Sequence, residues 1–468
     1  MFAIKRLLIS GTKGGVGKTT VILGLLAALK KRGLDVAPFK VGPDFVDPGH
    51  HFRVTGKNSV NLDGWMLSKP YNLGCFRKYS ENADIAVVEG FMGLFDGYDG
   101  KSESGSSAQI AKWLELSVIL VVDAGNMARS VAALIRGFED FDHSLSFAGV
   151  IFNKVGSNKQ LQYLKDSLED NVKMPCLGGV LYDREIAIPK RHLGLTTLHD
   201  NRLSDKDIKK LANIVEKNID IDKLLESLPD KKLGNPTSDE MPLTVEKTKP
   251  VVRIAMARDD AFCFYYKDNL DNLEAAGAEL VYFSPLKDGR LPENIDGIYF
   301  CGGYAELFAA QLSNNSGLRR AVRERSLEGM PIYGECGGFM YLCRELYNAD
   351  GNIYPMTGCF PFSTRMLSHL RTVGYREIKL KRDTVVGKSG QTVRGYEFHY
   401  SELSDIDVNI ENIYSVSGLF GQKNVPEGFL INHTIGSYIN LHLGGTPEAA
   451  KEFINSCLQY QKERMVKQ

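Results

Sequence analysis

The sequence predicts an α/β protein of two domains, the first built on a doubly wound parallel sheet. Three observations predict it. Short apolar runs alternate with stretches whose apolar residues recur at helical spacing. A polar segment rich in proline, glycine and charge interrupts that alternation over residues 228–250, and the alternation restarts at Val251. The chain has 468 residues, enough for two or three domains at about 150 residues each, every one with its own core.

Taken in order, Arg6-Leu7-Leu8-Ile9-Ser10 reads as a buried strand. Residues Thr19 to Arg32 place Val21, Ile22, Leu25, Leu26 and Leu29 on a helical stripe, with Lys30-Lys31-Arg32 and Gly33 as its stop. Val36 to Val41, Ile85 to Glu89, Val118 to Asp123 and Val150 to Lys154 are further strands. Strands this apolar, spaced by helices, belong in a parallel sheet covered on both faces. Leu228-Pro229-Asp230-Lys231-Lys232 and Gly234-Asn235-Pro236 have linker chemistry, with too little apolar surface to offset ordering. After it come a strand at Val251 to Ala255, a helix near Tyr265 to Ala276, and strands near Leu280 to Phe283 and Gly297 to Phe300. The expected domains are therefore residues 1–227 and 251–468, joined by a linker at 228–250. Gly387 to Gly395 reads as a hairpin or a loop.

Composition narrows the function. Lys+Arg and Asp+Glu balance at 57 each, so the basic footprint of a nucleic-acid binder is missing. The longest apolar run, around Val118 to Val122, falls far short of the ~20 residues of a membrane span. Met1 to Ser10 lacks a charged segment followed by a long apolar stretch, and a cytoplasmic protein is expected. Eight cysteines with no CxxC pair suggest neither a disulfide framework nor a zinc site.

The strongest local signal lies between the first strand and helix, at Gly11-Thr12-Lys13-Gly14-Gly15-Val16-Gly17-Lys18-Thr19-Thr20. Glycines let successive backbone N–H groups converge on phosphate oxygens at a helix N-terminus. Residues Thr12 to Thr20 are thus the expected ATP cradle, with Lys18 reaching the terminal phosphates and the Thr19 hydroxyl on Mg²⁺. Thr12 stands where the strict P-loop pattern has Gly. Lys13 is read as an extra phosphate contact or a surface charge. Carboxylates follow the strand ends: Asp44 and Asp47 beyond the second strand, Glu89 at the end of Ile85-Ala86-Val87-Val88, and Asp96 in Gly93-Leu94-Phe95-Asp96-Gly97. Ligands gather at the carboxyl ends of such strands. Thr19, Asp44 and Glu89 are the expected metal residues, and Asp44, Asp47 and Asp96 the expected substrate contacts.

These segments also carry a resemblance. Lys40 to His51, Asn61-Leu62-Asp63-Gly64-Trp65-Met66-Leu67 and Val87 to Gly97 are similar to the cobyrinic acid a,c-diamide synthase family, whose ATP domain resembles dethiobiotin synthetase. Asn153-Lys154-Val155-Gly156 resembles the adenine-contacting turn of that fold, which implies that the Asn153 amide reads a base edge. Ile188 to Leu195 is close to a further family stretch. Lys13 departs from the family pattern and matches partition-type ATPases instead, but such proteins lack a second α/β domain.

In the second domain, Tyr333-Gly334-Glu335-Cys336-Gly337-Gly338-Phe339 follows a strand and opens a helix. A cysteine there sits exposed on a tight turn with the helix dipole favouring its thiolate. The segment resembles the class I glutamine amidotransferase elbow, in which cysteine attacks the glutamine side-chain amide to form a thioester. Cys301-Gly302-Gly303-Tyr304 matches the family's Gly-Gly-Tyr loop, and backbone N–H groups near Gly303 and Gly337 are the expected oxyanion donors. Cys301 is expected to be structural. Gly436-Ser437-Tyr438-Ile439-Asn440-Leu441-His442 resembles a family stretch that usually reads Ser-Tyr-x-His-x-His. Asn440 replaces its first histidine, so the base assignment falls to His442, with His399 and His433 as fallbacks.

The resemblance implies ATP- and glutamine-dependent amidation of the a and c acetates of cobyrinate through acyl phosphates. Cys336, His442, Lys18 and Lys40 would be the catalytic residues, ATP and Mg²⁺ the cofactors, and L-glutamine and a tetrapyrrole polycarboxylate the substrates; the oligomeric state stays open, a homodimer being one arrangement. Hydrogenobyrinate and Ni-sirohydrochlorin, handled by close relatives, stay open as substrates.

Overall fold

A computed structural model describes residues 3–183, 203–232, 249–404, 410–417 and 426–467. These fall into two compact units, one ending with the described residues before 233 and the other running from 249. The similarity stretch at 188–195 and most of the expected linker lie outside the described residues.

The first unit runs β1 (Ala3–Gly11), α1 (Lys18–Lys31), β2 (Val36–Val41), α2 (Asp47–Thr55), β3 (Val60–Leu62), α3 (Lys69–Tyr79), β4 (Ile85–Gly93), α4 (Ser107–Trp113), β5 (Ser117–Asp123), α5 (Ser130–Phe141), β6 (Ser146–Val155), α6 (Asn158–Leu168), β7 (Cys176–Leu181), α7 (Asp205–Asn218), α8 (Ile221–Ser227) and β8 (Lys231–Lys232). The sheet order is β3-β2-β4-β1-β5-β6-β7, with parallel pairing throughout that path. β1 is central because its residues Leu7, Leu8 and Ile9 are apolar on both faces and wholly buried. From β1 the chain winds to β2 and β3 on one side and later to β5, β6 and β7 on the other. That reversal opens a crevice at the strands' carboxyl ends. β8 pairs antiparallel with Ala3 and Ile4, so the first residues of the expected linker join this sheet.

The second unit runs β9 (Val252–Ala257), α9 (Lys267–Ala275), β10 (Ala278–Phe283), β11 (Gly297–Phe300), α10 (Ala309–Asn314), α11 (Ser316–Leu327), β12 (Ile332–Glu335) and α12 (Gly337–Leu342). There follow β13 (Glu345–Tyr347), β14 (Ile353–Pro355), β15 (Ser363–Met366), β16 (Thr372–Leu380), β17 (Thr392–His399), β18 (Ser401–Ser404), β19 (Glu411–Ser417), β20 (Glu427–Ile431), β21 (Thr434–Ser437), β22 (Ile439–Leu441) and α13 (Pro447–Lys467). Its main sheet is ordered β10-β9-β11-β12-β21-β20-β19-β16-β17-β22, parallel as far as β21 and antiparallel beyond. The glycine-rich 387–395 segment is the end of a hairpin, with Gly395 already inside β17. Strands β13, β14, β15 and β18 form a separate small sheet.

Phe339, one turn into α12, packs against Phe360, Phe362, Phe429 and Tyr438 at ring separations of 5.2 to 6.0 Å. This aromatic cluster seats the helix that follows the elbow. Phe339→Ala should destabilise the second unit by about 3–5 kcal/mol through the cavity it leaves, read by calorimetry as a lowered midpoint for that unit's transition.

Candidate active sites

In the first unit, the register of the sheet builds the site. Lys40 on β2 pairs directly with Glu89 on β4, and Glu89 pairs with Ile9 on β1. The P-loop leaves β1 two residues later. Lys40 Nζ lies 2.6 Å from Asp47 Oδ2, 3.4 Å from Glu89 Oε1 and 4.0 Å from Asp44 Oδ2. The other Glu89 oxygen is 2.8 Å from His51 Nε2, and His51 Nδ1 meets the Ser59 hydroxyl at 2.9 Å. The Thr19 hydroxyl donates to Glu89 Oε1 at 2.9 Å.

Glu89 is wholly buried. Burial alone would push its carboxyl up, but Lys40 and the His51 hydrogen bond pull it down to about 2. Burial works against the Lys40 ammonium too, and its three carboxylate neighbours still hold it above the ordinary lysine range. Lys18 is lowered to about 8, first by burial and then by Lys40. Its Nζ hydrogen-bonds the Met92 carbonyl.

The loop itself is held from beneath. Gly17 adopts φ 90°, and a Cβ there would lie 2.1 Å from Asn153 Nδ2, so only glycine fits. Asn153 Nδ2 donates to the Val16 carbonyl at 2.8 Å, and Lys154 Nζ bridges the Gly15 carbonyl and Asp123. The amide nitrogen expected to face a base edge is therefore bonded to the loop, because the buried Val16 carbonyl needs a donor. Thr12, Gly14 and Thr20 are half-buried along the loop, and Lys13 is exposed.

Asp44 Oδ1 accepts the backbone N–H groups of Val46 and Asp47, at 2.9 and 3.0 Å. Asp96 is exposed and accepts the Gly93 N–H at 2.7 Å. Sequence reasoning gave His51 no role, although the His50-His51 pair follows Asp47 by only a few residues.

Among the described residues, no group of three or more His, Cys, Asp or Glu is arranged to hold a metal ion by itself. A hydroxyl and a carboxylate oxygen side by side, at Thr19 and Glu89, nevertheless suit Mg²⁺, which takes one or two protein ligands and completes its shell with phosphates and water.

In the second unit, Cys336 sits between β12 and α12 at φ 46°, ψ −109°, a strained conformation for a non-glycine residue. Its N–H donates to the Ser437 carbonyl at 2.8 Å, which fixes the turn. A Cβ on Gly337 would lie 3.0 Å from the Gly303 nitrogen, so the two expected oxyanion donors are neighbours. Cys301 is buried with its thiol on the Ala257 carbonyl, in keeping with a structural role.

Two expectations fail here. Cys336 as a residue is 9% exposed rather than open, and burial, followed by Glu306, pushes its thiol up to about 12 rather than down. Helix polarity loses because the ionisable groups around the turn are carboxyls, Glu306, Glu335 and Glu397, and not cations. The thiol donates to the Phe398 carbonyl at 3.7 Å.

His442, the expected base, has its own set of neighbours. β22 ends at Leu441, and His442 caps the short 3₁₀ turn Leu443–Gly445. Its Nδ1 accepts the Gly444 N–H at 3.3 Å, its Nε2 stands 3.5 Å from Asp268 Oδ2, and its ring stacks on Tyr266. Asp268 carried no sequence signal, since it lies on a helix far away in the chain. Asn440, Phe264 and Cys336 all flank Gly302: a Cβ there would lie 2.8 Å from Asn440 Oδ1, 3.2 Å from Phe264 Cβ and 3.5 Å from Cys336 Cβ.

A P-loop unit followed by a unit with a cysteine elbow and paired backbone donors defines a nucleotide-binding ligase joined to a glutamine amidotransferase domain. Residues 7–195 match the family described as "CobQ/CobB/MinD/ParA nucleotide binding domain", and residues 253–447 match the "CobB/CobQ-like glutamine amidotransferase domain". A cobyrinate a,c-diamide synthase of Leptospira interrogans is 41% identical over 97% of this chain and 99% of its own length. One from Syntrophotalea carbinolica is 42% identical over 97% and 98%, and one from Methanosarcina acetivorans 38% over 99% and 97%. The chain belongs to the cobyrinate a,c-diamide synthase family, enzymes that are carbon–nitrogen ligases with an amidotransferase domain. Among the described residues, no helix is long and apolar enough to cross a membrane.

The two units should respond oppositely to pH. Burial raises Glu335, Glu306 and Glu427 to about 7 from an ordinary 4.5. Their contribution is full below 4.5 and is lost as pH rises through 7. Glu89, at about 2, contributes fully above 4.5 and loses its share as pH falls towards 2. Calorimetry should show the second unit's midpoint falling between pH 5 and 8 while the Glu89 contribution stays constant. Glu335→Gln should flatten that fall.

Proposed function

We propose that this chain amidates the a and c acetate carboxylates of cobyrinate at the expense of ATP. A carboxylate offers ammonia no usable leaving group, so the γ-phosphoryl group is first transferred to it, giving an acyl phosphate. Ammonia then displaces phosphate to leave the amide. The second unit is built to draw that ammonia from glutamine through a thioester on Cys336, with the Gly303 and Gly337 N–H groups set towards the oxyanion.

The observation that carries the reading is the charged cluster under the P-loop, Lys40 with Glu89, Asp47 and Asp44, beside Lys18 and Thr19. Lys18 offsets charge on the transferring phosphoryl group. Thr19 and Glu89 would hold Mg²⁺, which when bound supplies further positive charge to the phosphates. Lys40, buried among carboxylates, keeps Glu89 ionised and fixed, and Asp44, Asp47 and Asp96 border the space for the reacting carboxylate. The names of the relatives, matched over nearly the whole chain, support cobyrinate as the acceptor.

The test is incubation with ATP, Mg²⁺, cobyrinate and either glutamine or ammonium, followed by weighing of the products. Lys18→Ala should lower amide formation by about 10²-fold or more with both nitrogen sources. Cys336→Ala should abolish whatever glutamine supports and still form amide from ammonium. Equal loss of both in Cys336→Ala would count against separate chemistries in the two units.

A further inference from the structure

Helix α2 turns two side chains onto the Lys40–Glu89 pair. Asp47 and His51 are four residues apart on it, hence on one face, and both are buried. Asp47 closes on the Lys40 ammonium at 2.6 Å, and His51 Nε2 on Glu89 Oε2 at 2.8 Å. On the far side of the imidazole, Nδ1 meets the hydroxyl of Ser59 at 2.9 Å, one residue before β3. His51 and Glu89 are wholly buried, and Ser59 is nearly so. A line of hydrogen bonds of 2.8 to 2.9 Å therefore runs from the edge of the sheet to the first turn of α1, through Ser59, His51, Glu89 and Thr19.

That line divides the two Glu89 oxygens. Oε2 faces the imidazole, and Oε1 faces the Thr19 hydroxyl with Lys40 Nζ 3.4 Å away. The last torsion of a glutamate is broad and roughly two-fold, so a carboxylate held by charge alone can twist. An ammonium is a compact point charge that accepts many carboxylate orientations. A ring N–H is directional, because a hydrogen bond weakens steeply away from linearity. A carboxylate only accepts, so Nε2 supplies the proton of this contact, and Ser59 steadies the ring from behind.

We propose that His51 is a positioning residue for Mg²⁺: by fixing Oε2 it holds Oε1 beside the Thr19 hydroxyl, and so sets the affinity of the nucleotide site for the metal. The inference rests on the reading of Thr19 and Glu89 as the Mg²⁺ residues. His51 acts through Glu89. Partners of this outer kind orient a ligand, and removing one lowers metal affinity by about 10- to 100-fold.

The experiment measures Mg²⁺ binding by calorimetry to the full chain holding a non-hydrolysable ATP analogue, so that no turnover enters the reading. His51→Gln and His51→Asn are compared, because a Gln amide nitrogen reaches about as far as Nε2 and an Asn amide nitrogen about as far as Nδ1. His51→Asn should weaken Mg²⁺ binding by about 10-fold or more, and His51→Gln should keep most of the wild-type affinity. Ser59→Ala should shift it in the same direction by less. In a Glu89→Gln background, His51→Asn should add no further loss, as expected of a residue that acts through that carboxylate. A merely structural role would lower the thermal midpoint of both His51 variants without separating them in metal affinity.

Wild-type affinity in a His51→Asn variant that folds, by circular dichroism, would overturn the proposal, and with Glu89→Gln weakened the metal-site reading would stand. Full additivity of His51→Asn with Glu89→Gln would overturn it as well. Unchanged Mg²⁺ affinity in Glu89→Gln would sink the metal-site reading and the positioning role with it. Should His51→Asn fail to fold, Ser59→Ala decides, and unchanged affinity there counts against the proposal.

Discussion

The Lys40–Glu89 pair is the constraint on which the first site depends. It joins two adjacent strands at one register position, with both side chains buried. A buried charge is tolerable only when paired and hydrogen-bonded, and each partner here has more than one. Asp47 and Asp44 close on the lysine, and His51 and Thr19 on the glutamate. The result is a buried carboxylate that stays ionised, at the height where the P-loop leaves β1. Any slip of β2 against β4 would break the pairing and uncompensate both charges, so the site and the sheet register specify each other.

The second unit solves a different problem with similar materials. Glu335, the residue before the elbow cysteine, accepts hydrogen bonds from the Tyr299 and Tyr333 hydroxyls and from the Leu441 N–H. It thereby ties β11, β12 and β22 together beneath the turn. Burial outweighs those bonds and holds the carboxyl near neutrality. A network of protonatable carboxyls stabilises the elbow geometry, yet it surrounds the thiol with groups that disfavour a thiolate. Backbone strain at Cys336 is retained while the charge pattern opposes the nucleophile.

Much of this was legible beforehand because it is local. The P-loop needs consecutive glycines between an apolar strand and an amphipathic helix, and those residues are contiguous from Gly11 to Thr20. Asp44, Asp47 and Glu89 could be placed near the loop because strand ends converge in a parallel sheet. The cysteine elbow and the Gly302-Gly303 turn were equally visible. The histidines were harder to read. Alternation along a strand placed residues 440 and 442 on one face, but the strand stops at Leu441 and His442 turns into a cap.

By itself, then, the sequence determined the two α/β units, the phosphate cradle, the acid-bearing strand ends and the strained cysteine turn, since each is specified by neighbours within about a dozen residues. Only the tertiary structure decided that His51 holds Glu89, that Asp268 and Tyr266 neighbour His442, and that Asn440 and Cys336 both flank Gly302. Those pairings join segments far apart in the chain, and they depend on strand register, helix placement and burial, none of which a local pattern of side chains encodes.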